Sequence, residues 1–287
     1  MIPLGEIGTR MRNILSGRWP LRALLGSHCY FPLGEGLGLV RLNSGRFIYV
    51  DPLEESVCPF LIAYGEWEYD TSCVILGLLD KGDHVLEVGA HVGFHTLAMA
   101  HRVGRSGRVT SLEANPRLAA LARRSLRFNR YDDRVRIIQK AASDTSGTVR
   151  FTTSRTVGGG GHIYGGGLLG PDTEVIDVDS VRLDDLDAGS PKLIRLDAEG
   201  SEGLILRGSE RLLERPDVIL CMEWDIIQMR PRTDPQEVAT SLSSKGFRFW
   251  RIRPKSTLEA LGLDDLMVLK TCDILVSRSR PVLRKVR

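Results

Sequence analysis

The sequence lacks several features that would have decided its class at once. No Cys-x-x-Cys pair occurs, and the five cysteines, Cys29, Cys58, Cys73, Cys221 and Cys272, are odd in number and widely scattered. This pattern does not suit a disulfide-built secreted scaffold, so free thiols in a cytoplasmic protein are expected. No apolar run is long enough to cross a bilayer, and the first residues hold no long apolar stretch of the signal-peptide kind, so no transmembrane segment is expected. An excess of one charge is missing too: the formal net charge is +3, too mild to point to bulk nucleic-acid binding. No internal repeat is visible. The hydrophobic and charged fractions are those of a soluble globular protein, and 287 residues can bury one large core or two small ones.

Both ends are basic. Arg10, Arg12, Arg18 and Arg22 stand among Ile14, Leu15, Trp19, Leu21, Leu24 and Leu25. That segment reads as an amphipathic helix, set against its own domain, a partner subunit or a membrane surface. The terminal SRSRPVLRKVR reads as a solvated tail. Between the ends, strand-like and helix-like patterns alternate. Strands are expected over 84–90, 108–114, 135–142, 192–197 and 217–223, with late strands over 247–253 and 271–277. Helices are expected over 92–101, from Pro116 to about Asn129 with Asn115 as N-cap, after Asp197, and from Asp234 or Pro235 to Gly246. Repeated strand–helix units imply a mostly parallel sheet covered on both faces.

Two regions break the alternation. In GLGLVRLNSGRFIYV, two strand-like runs flank Asn43-Ser44-Gly45 and read as a hairpin. Between the third and fourth main strands, TVRFTTS and TEVIDVDSVRL read as extra strands joined by the glycine-rich VGGGGHIYGGGLLG. That loop is either a floppy connection or a lid whose useful side chains are His162 and Tyr164.

The stretch VLEVGAHVGFHTLAMA turns sharply from strand to helix, at the place where open parallel sheets bind ligands. A dinucleotide site would carry G-x-G-x-x-G there, but Gly89 and Gly93 are four apart. Glu87, just before the turn, would repel a pyrophosphate and suit a ligand with a positive end. Glu113, twenty residues past Gly93, can accept both hydroxyls of a ribose. A nucleoside with a cationic, non-phosphate tail satisfies both, and S-adenosyl-L-methionine is such a molecule.

On these residues LEVGAHVG resembles the first motif of class I methyltransferases, and LEANP the second. LIRLDAEGSEGLILRG, Leu193–Gly208, resembles the signature of the FkbM family of S-adenosylmethionine-dependent methyltransferases. VDSVRLDDL and YGEWEYDTS are similar to that family's pattern as well, and the resemblance runs from about Gly65 to Ser277. The family commonly carries asparagine where His91 stands. The resemblance implies an α/β fold: a Rossmann-like, doubly wound, mostly parallel sheet over 64–287, to which the hairpin and helix patterns above add an N-terminal extension over 1–63. It implies S-adenosylmethionine as cofactor. Glu87, Gly89, Ala90, His91 and Gly93 would then lie at its methionine and ribose side, with Glu68 near the methionine end. Glu113 would take the ribose hydroxyls, and Ala141, Ala142 and Asp144 would lie by the adenine.

Asp197, Glu199, Glu202 and Glu223 form an acidic group at neighbouring strand ends. One of them could be a general base, the group could hold a divalent cation through oxygen, or Asp197 could meet the cofactor while Glu202 caps a helix. We expect Asp197 and Glu199 at the reaction centre and Glu202 in a structural role. A base is needed for a hydroxyl acceptor, and Glu199, Asp197 and His162 are the candidates. His91 and His95 have helix-face metal spacing, but no third ligand is near, and no metal is predicted. Trp67, Trp224, Phe249 and Trp250 either line an acceptor pocket or fill core. The turn after the fourth strand lacks the DPPY or NPPY sequence of base-amino methyltransferases, and Cys221 lies inside a strand, so no cysteine nucleophile is evident. O-methylation of a sugar or small natural-product hydroxyl is the expectation, with RNA as the alternative acceptor and non-catalytic cofactor binding as the alternative class. If the chain forms a homo-oligomer, the N-terminal extension is the expected contact.

Overall fold

The computed structural model describes residues 28–166, 168–170 and 172–285. The predicted amphipathic segment near the start lies outside the described residues. No helix among the described residues is long and apolar enough to cross a membrane.

The centre is an eight-stranded sheet. Five parallel strands stand side by side in the order β11 (Ile219–Trp224), β10 (Leu193–Leu196), β4 (His84–Val88), β5 (Arg108–Leu112), β6 (Val135–Ile138). Beyond β11, β14 (Cys272–Ser277) inserts antiparallel between it and β12 (Arg248–Arg253), and β13 (Thr257–Leu261) closes the edge. The chain runs outward from β4 through β5 to β6, then returns to place β10 on the other side of β4. The strand order therefore reverses between β4 and β10, which is where such sheets bind ligands.

Successive strand residues point to opposite faces, so each face gathers its own core. Leu86, Val88, Leu112, Ile194, Leu196 and Leu220 pack under α5 (Glu202–Arg207), α6 (Glu210–Leu213) and α8 (Pro235–Ser244). Val85, Val109, Leu193, Cys221 and Leu275 pack under α2 (Tyr69–Leu78) and α3 (Phe94–Val103). α4 (Pro116–Phe128) begins as the sequence suggests: the Asn115 side chain accepts from the backbone N–H of Arg117 at 3.0 Å. Asp234 caps α8 in the same way through Gln236 N–H at 2.9 Å.

The predicted hairpin is present as β2 (Leu37–Arg41) and β3 (Phe47–Val50), extended by β1 (Cys29–Gly34). With α1 (Cys58–Tyr64) it forms a cap whose Val40, Ile48, Val50 and Leu61 share a core with Val92, Leu97, Leu118 and Leu121. Asn129 exchanges hydrogen bonds with Phe47, and Ser125 Oγ accepts Tyr49 N–H at 2.9 Å. The cap is thus fastened to α4, and its far end reaches the functional cavity.

Three expectations need correction. The strand expected over 135–142 breaks after Ile138, and β7 (Ala141–Ala142) joins a separate sheet with β8 (Gly147–Ser154) and β9 (Thr173–Val181). The C-terminal segment is not wholly a solvated tail: Leu283 packs on the core beneath α2, and Arg284 N–H donates to Gly77 carbonyl oxygen at 2.9 Å. Between β12 and β14 the chain also forms β13 and α9 (Leu263–Val268), which the sequence pattern did not show.

Candidate active site

The glycine turn after β4 is forced by a close approach. Gly89 has φ +83°, and a Cβ there would stand 1.8 Å from the Asp197 carbonyl oxygen. Only glycine fits both the conformation and the space. Gly89 and Ala90 N–H groups donate to Leu112 carbonyl oxygen at 3.0 and 3.1 Å, so the turn is pinned between β5 and β10. His91 follows at φ +51°, a left-handed conformation that asparagine tolerates better than most residues. The asparagine common in the family at this position suits that backbone. Gly93, φ +92°, caps α3, and a Cβ on it would approach Ala122 of α4 at 3.3 Å.

Glu113 stands at the end of β5 beside this turn. Its Oε2 accepts His91 N–H at 2.7 Å and its Oε1 accepts Asn115 N–H at 2.8 Å. Burial raises its pKa above the usual carboxylate range. Glu87 lies deeper. It is fully buried, and its Oε2 accepts from Thr96 at 2.5 Å and Ser111 at 2.6 Å. It does not line the cavity; Arg195, whose Nη1 lies 3.8 Å from its Oε1, does.

Arg195 is the residue that sequence reasoning missed. It is 4% exposed and donates to Asp197 Oδ2 at 2.6 Å and to Gly89 carbonyl oxygen at 3.3 Å, with Glu68 3.7 Å away. A lone cation inside the apolar strand LIRLDAE was the available signal. Glu68, φ +44°, lines the cavity with its Oε2 3.2 Å from His95 Nε2. Burial and Arg195 push the His95 pKa down to about 3, so this ring is neutral. His91 and His95 have different neighbours: the His91 ring lies 3.7 Å from Glu54, not beside His95. Glu54 was also missed. Burial opposes its charge, but His91, the Cys58 N–H and the Ser56 hydroxyl outweigh burial and hold its pKa below the usual range.

These groups surround one cavity of about 500 Å³ over the carboxyl ends of β4, β5, β10 and β11, a volume within the usual range for small-molecule sites. Gly89, Ala90, His91, Glu113, Ala141 and Ala142 line one part of it, and Asp197, Glu199 and Glu223 another. The glycine-rich segment closes over it: Gly158 to Gly161 and Ile163 form part of the wall. Three tethers hold the segment. Glu55 N–H donates to Thr156 carbonyl oxygen at 2.6 Å, Gly159 N–H to Ser56 Oγ at 3.1 Å, and Arg232 Nε to Ile163 carbonyl oxygen at 2.8 Å.

Four expected site residues do not line this cavity: Glu87, described above, and His162, Asp144 and Gly93. His162 faces a separate cavity of about 180 Å³, because its N–H bonds to Thr152 Oγ1 at 3.0 Å and its Nδ1 lies 2.9 Å from Gly160 carbonyl oxygen. Asp144 lies outside, 3.4 Å from Arg207 Nε, while Lys140 lines the cavity on that side. Gly93 does not line it either; its part is the α3 cap. Trp67 is on the wall, but Trp224 is fully buried core and donates through Nε1 to Leu266 carbonyl oxygen at 2.9 Å. Phe249 and Trp250 are buried core as well.

At the acidic end, Glu199 has φ +51°, and burial followed by repulsion from Asp197 pushes its pKa up to about 8. Burial, with Asp197 and Glu199, also drives Glu223 well above the usual range. Glu202 is 1% exposed, accepts Ala198 N–H at 2.8 Å, and is pushed up to about 7, chiefly by burial. Its bond is to the backbone of the turn that precedes α5. Asp225 caps the short α7 (Ile226–Met229) through Ile227 and Gln228 N–H.

A sheet in this order, with a glycine turn after its first central strand and a carboxylate after the next, defines the Rossmann-like class I fold of S-adenosylmethionine-dependent methyltransferases. The methyltransferase FkbM domain family matches residues 87–249, and the chain belongs to that family. Among curated proteins, it is 46% identical over 61 residues to protein-L-isoaspartate O-methyltransferase 2 of Archaeoglobus fulgidus, covering 21% of this chain and 27% of the relative. It is 36% identical over 77 residues to catechol O-methyltransferase of Mycobacterium tuberculosis, covering 27% of this chain and 34% of the relative. The chain thus spans only about a quarter to a third of these relatives. Among solved structures, it is similar to methyltransferase FkbM from Methylobacillus flagellatus, at 19% identity and TM-score 0.47 over 74% of this chain and 48% of that one. It is also similar to an O-methyltransferase from Bacillus cereus in complex with SAH, at 14% identity and TM-score 0.43 over 77% of this chain and 84% of that one.

Proposed function

We propose that the chain, through residues 64–287 with 1–63 as a cap, transfers the methyl group of S-adenosylmethionine to a hydroxyl of a small acceptor, a sugar or a natural product. The observation that carries this reading is one cavity with two chemically different ends, the Glu113 turn and the acidic group. Glu113 uses two lone-pair positions on backbone N–H groups, and a carboxylate has others left for ribose hydroxyls. Gly89, Ala90 and His91 offer a backbone surface without bulky side chains for the ribose and methionine, and Glu68 receives the cationic amino group. Glu87 supports this surface from beneath, through Arg195. Ala141 and Ala142 leave room for a flat base.

Methyl transfer is an in-line displacement, so the main task is to hold an oxygen against the sulfonium methyl. Asp197 is already engaged by Arg195, so Glu199, when ionised, is the better acceptor for the hydroxyl proton. The scattered free cysteines support a reducing, cytoplasmic setting.

The test is S-adenosylhomocysteine formation with S-adenosylmethionine and a panel of hydroxylated sugars, an isoaspartyl peptide and an RNA oligonucleotide. Turnover confined to hydroxyl acceptors is expected. Turnover on the peptide carboxylate would replace this reading, and cofactor binding without turnover on any acceptor would favour a non-catalytic binder.

A further inference from the structure

One oxygen each of Asp197, Glu199 and Glu223 lies within 4.8 Å of the other two. Asp197 and Glu199 come from the turn after β10, and Glu223 from the end of β11. Among the described residues, Arg195 forms an ion pair with Asp197 of this trio, and no ion pair reaches the Glu199 or Glu223 carboxylates. Glu223 Oε2 is buried without a hydrogen-bond partner. An independent observation comes from Ser201 on the same turn. It is 2% exposed, lines the cavity, and its hydroxyl has no partner. A buried hydroxyl without a partner is costly, and a polar ligand held at this end of the cavity would supply one.

Charge and donor type select the ligand. The Arg195 guanidinium is shared among Asp197, Glu68 and Glu87, so the trio, when ionised, keeps an excess of negative charge that a divalent ion offsets further than a single ammonium group does. Donors that are all carboxylate oxygens suit magnesium, calcium or manganese, and three of them leave positions for water and an acceptor oxygen. We propose that Asp197, Glu199 and Glu223 form a divalent-cation site that orients the acceptor hydroxyl. Each residue offers one oxygen to the ion. That the ion meets the acceptor rests on the methyl-transfer reading; that the trio binds an ion does not.

The test uses the full chain, stripped with chelator and titrated with manganese chloride by calorimetry and electron paramagnetic resonance, with a parallel titration of S-adenosylhomocysteine. One saturable manganese site, displaced by magnesium, is expected. Glu223→Gln and Glu199→Gln should each weaken it by about tenfold or more, with S-adenosylhomocysteine binding retained. Protein that binds S-adenosylhomocysteine yet takes up no manganese, magnesium or calcium at about 1 mM would overturn the proposal. So would manganese binding unchanged in both variants, or displacement of manganese by ethanolamine as readily as by magnesium. Manganese bound through the trio without any S-adenosylhomocysteine binding would leave the ion site standing and sink the methyl-transfer reading instead.

Discussion

Replacing Gly89 by alanine separates a strained conformation from a steric clash. The new Cβ would stand 1.8 Å from the Asp197 carbonyl oxygen, whereas ordinary contact needs about 3.5 Å. The turn and the start of the acidic loop must therefore part by roughly 1.7 Å. Both sides resist: Gly89 N–H is bonded to Leu112 at 3.0 Å, and Asp197 N–H to Val88 at 3.1 Å. Gly45, in the hairpin turn, is the control. It has φ +80°, nearly that of Gly89, but nothing lies within 4 Å of its Cβ position. Gly45→Ala should cost about 1 kcal/mol from conformation alone. Gly89→Ala should cost that and about 1–3 kcal/mol more from overpacking. Urea unfolding of both variants measures the difference, and calorimetry should show S-adenosylhomocysteine binding lost only in Gly89→Ala. Equal midpoints and equal ligand binding would refute the argument that the close approach, rather than φ, requires glycine at the site.

Glu202 gives a pH prediction. Its pKa is raised from 4.5 to about 7 by burial, so its stabilising contribution is present below 4.5 and lost as pH rises through 7. Glu202→Gln keeps the bond from Ala198, and should become progressively more stable than the natural chain between those pH values, by on the order of 3 kcal/mol at the top; a constant difference in urea midpoint from pH 5 to 8 would contradict this. Arg232→Ala removes the tether from Ile163 and the bonds to Glu199 and Gln228 carbonyl oxygens. Faster hydrogen exchange at residues 158–166 and a higher cofactor KM are expected; unchanged exchange would show that the other tethers suffice. Deleting residues 281–287 exposes the core beneath α2 that Leu283 covers, and should lower stability by about 1–2 kcal/mol. No change in the urea midpoint would mean that the tail contributes only in part-solvated form.

Much of the central sheet was legible because its strands are buried on both faces and read as apolar runs, and because Pro116 and Asp234–Pro235 mark helix starts with recognised chemistry. The break after Ile138 was not legible: the alanines that follow are as apolar as the strand, and only pairing with β9 sends them to another sheet. β13 escaped because most of its side chains are exposed or half-exposed and leave no strand alternation. At the site, Glu113 and the glycine turn follow from spacing along one strand–helix unit. Glu54 and Arg232 do not, because Glu54 reaches His91 from the cap and Arg232 joins the Glu199 carbonyl to the glycine-rich segment at Ile163, each across a long sequence separation. His162 misled for a related reason: it is the chemically obvious side chain in that segment, but backbone pairing with Thr152 turns it into the smaller cavity.

The central claim is that this cavity holds S-adenosylmethionine with its ribose on Glu113. The most direct measurement is calorimetric titration of S-adenosylhomocysteine into the full chain and into Glu113→Ala. The account predicts saturable one-to-one binding, weakened in the variant by about 10- to 100-fold, the worth of losing charge-assisted hydrogen bonds in a buried site. No binding by the natural chain, or equal binding by a folded Glu113→Ala, would contradict it.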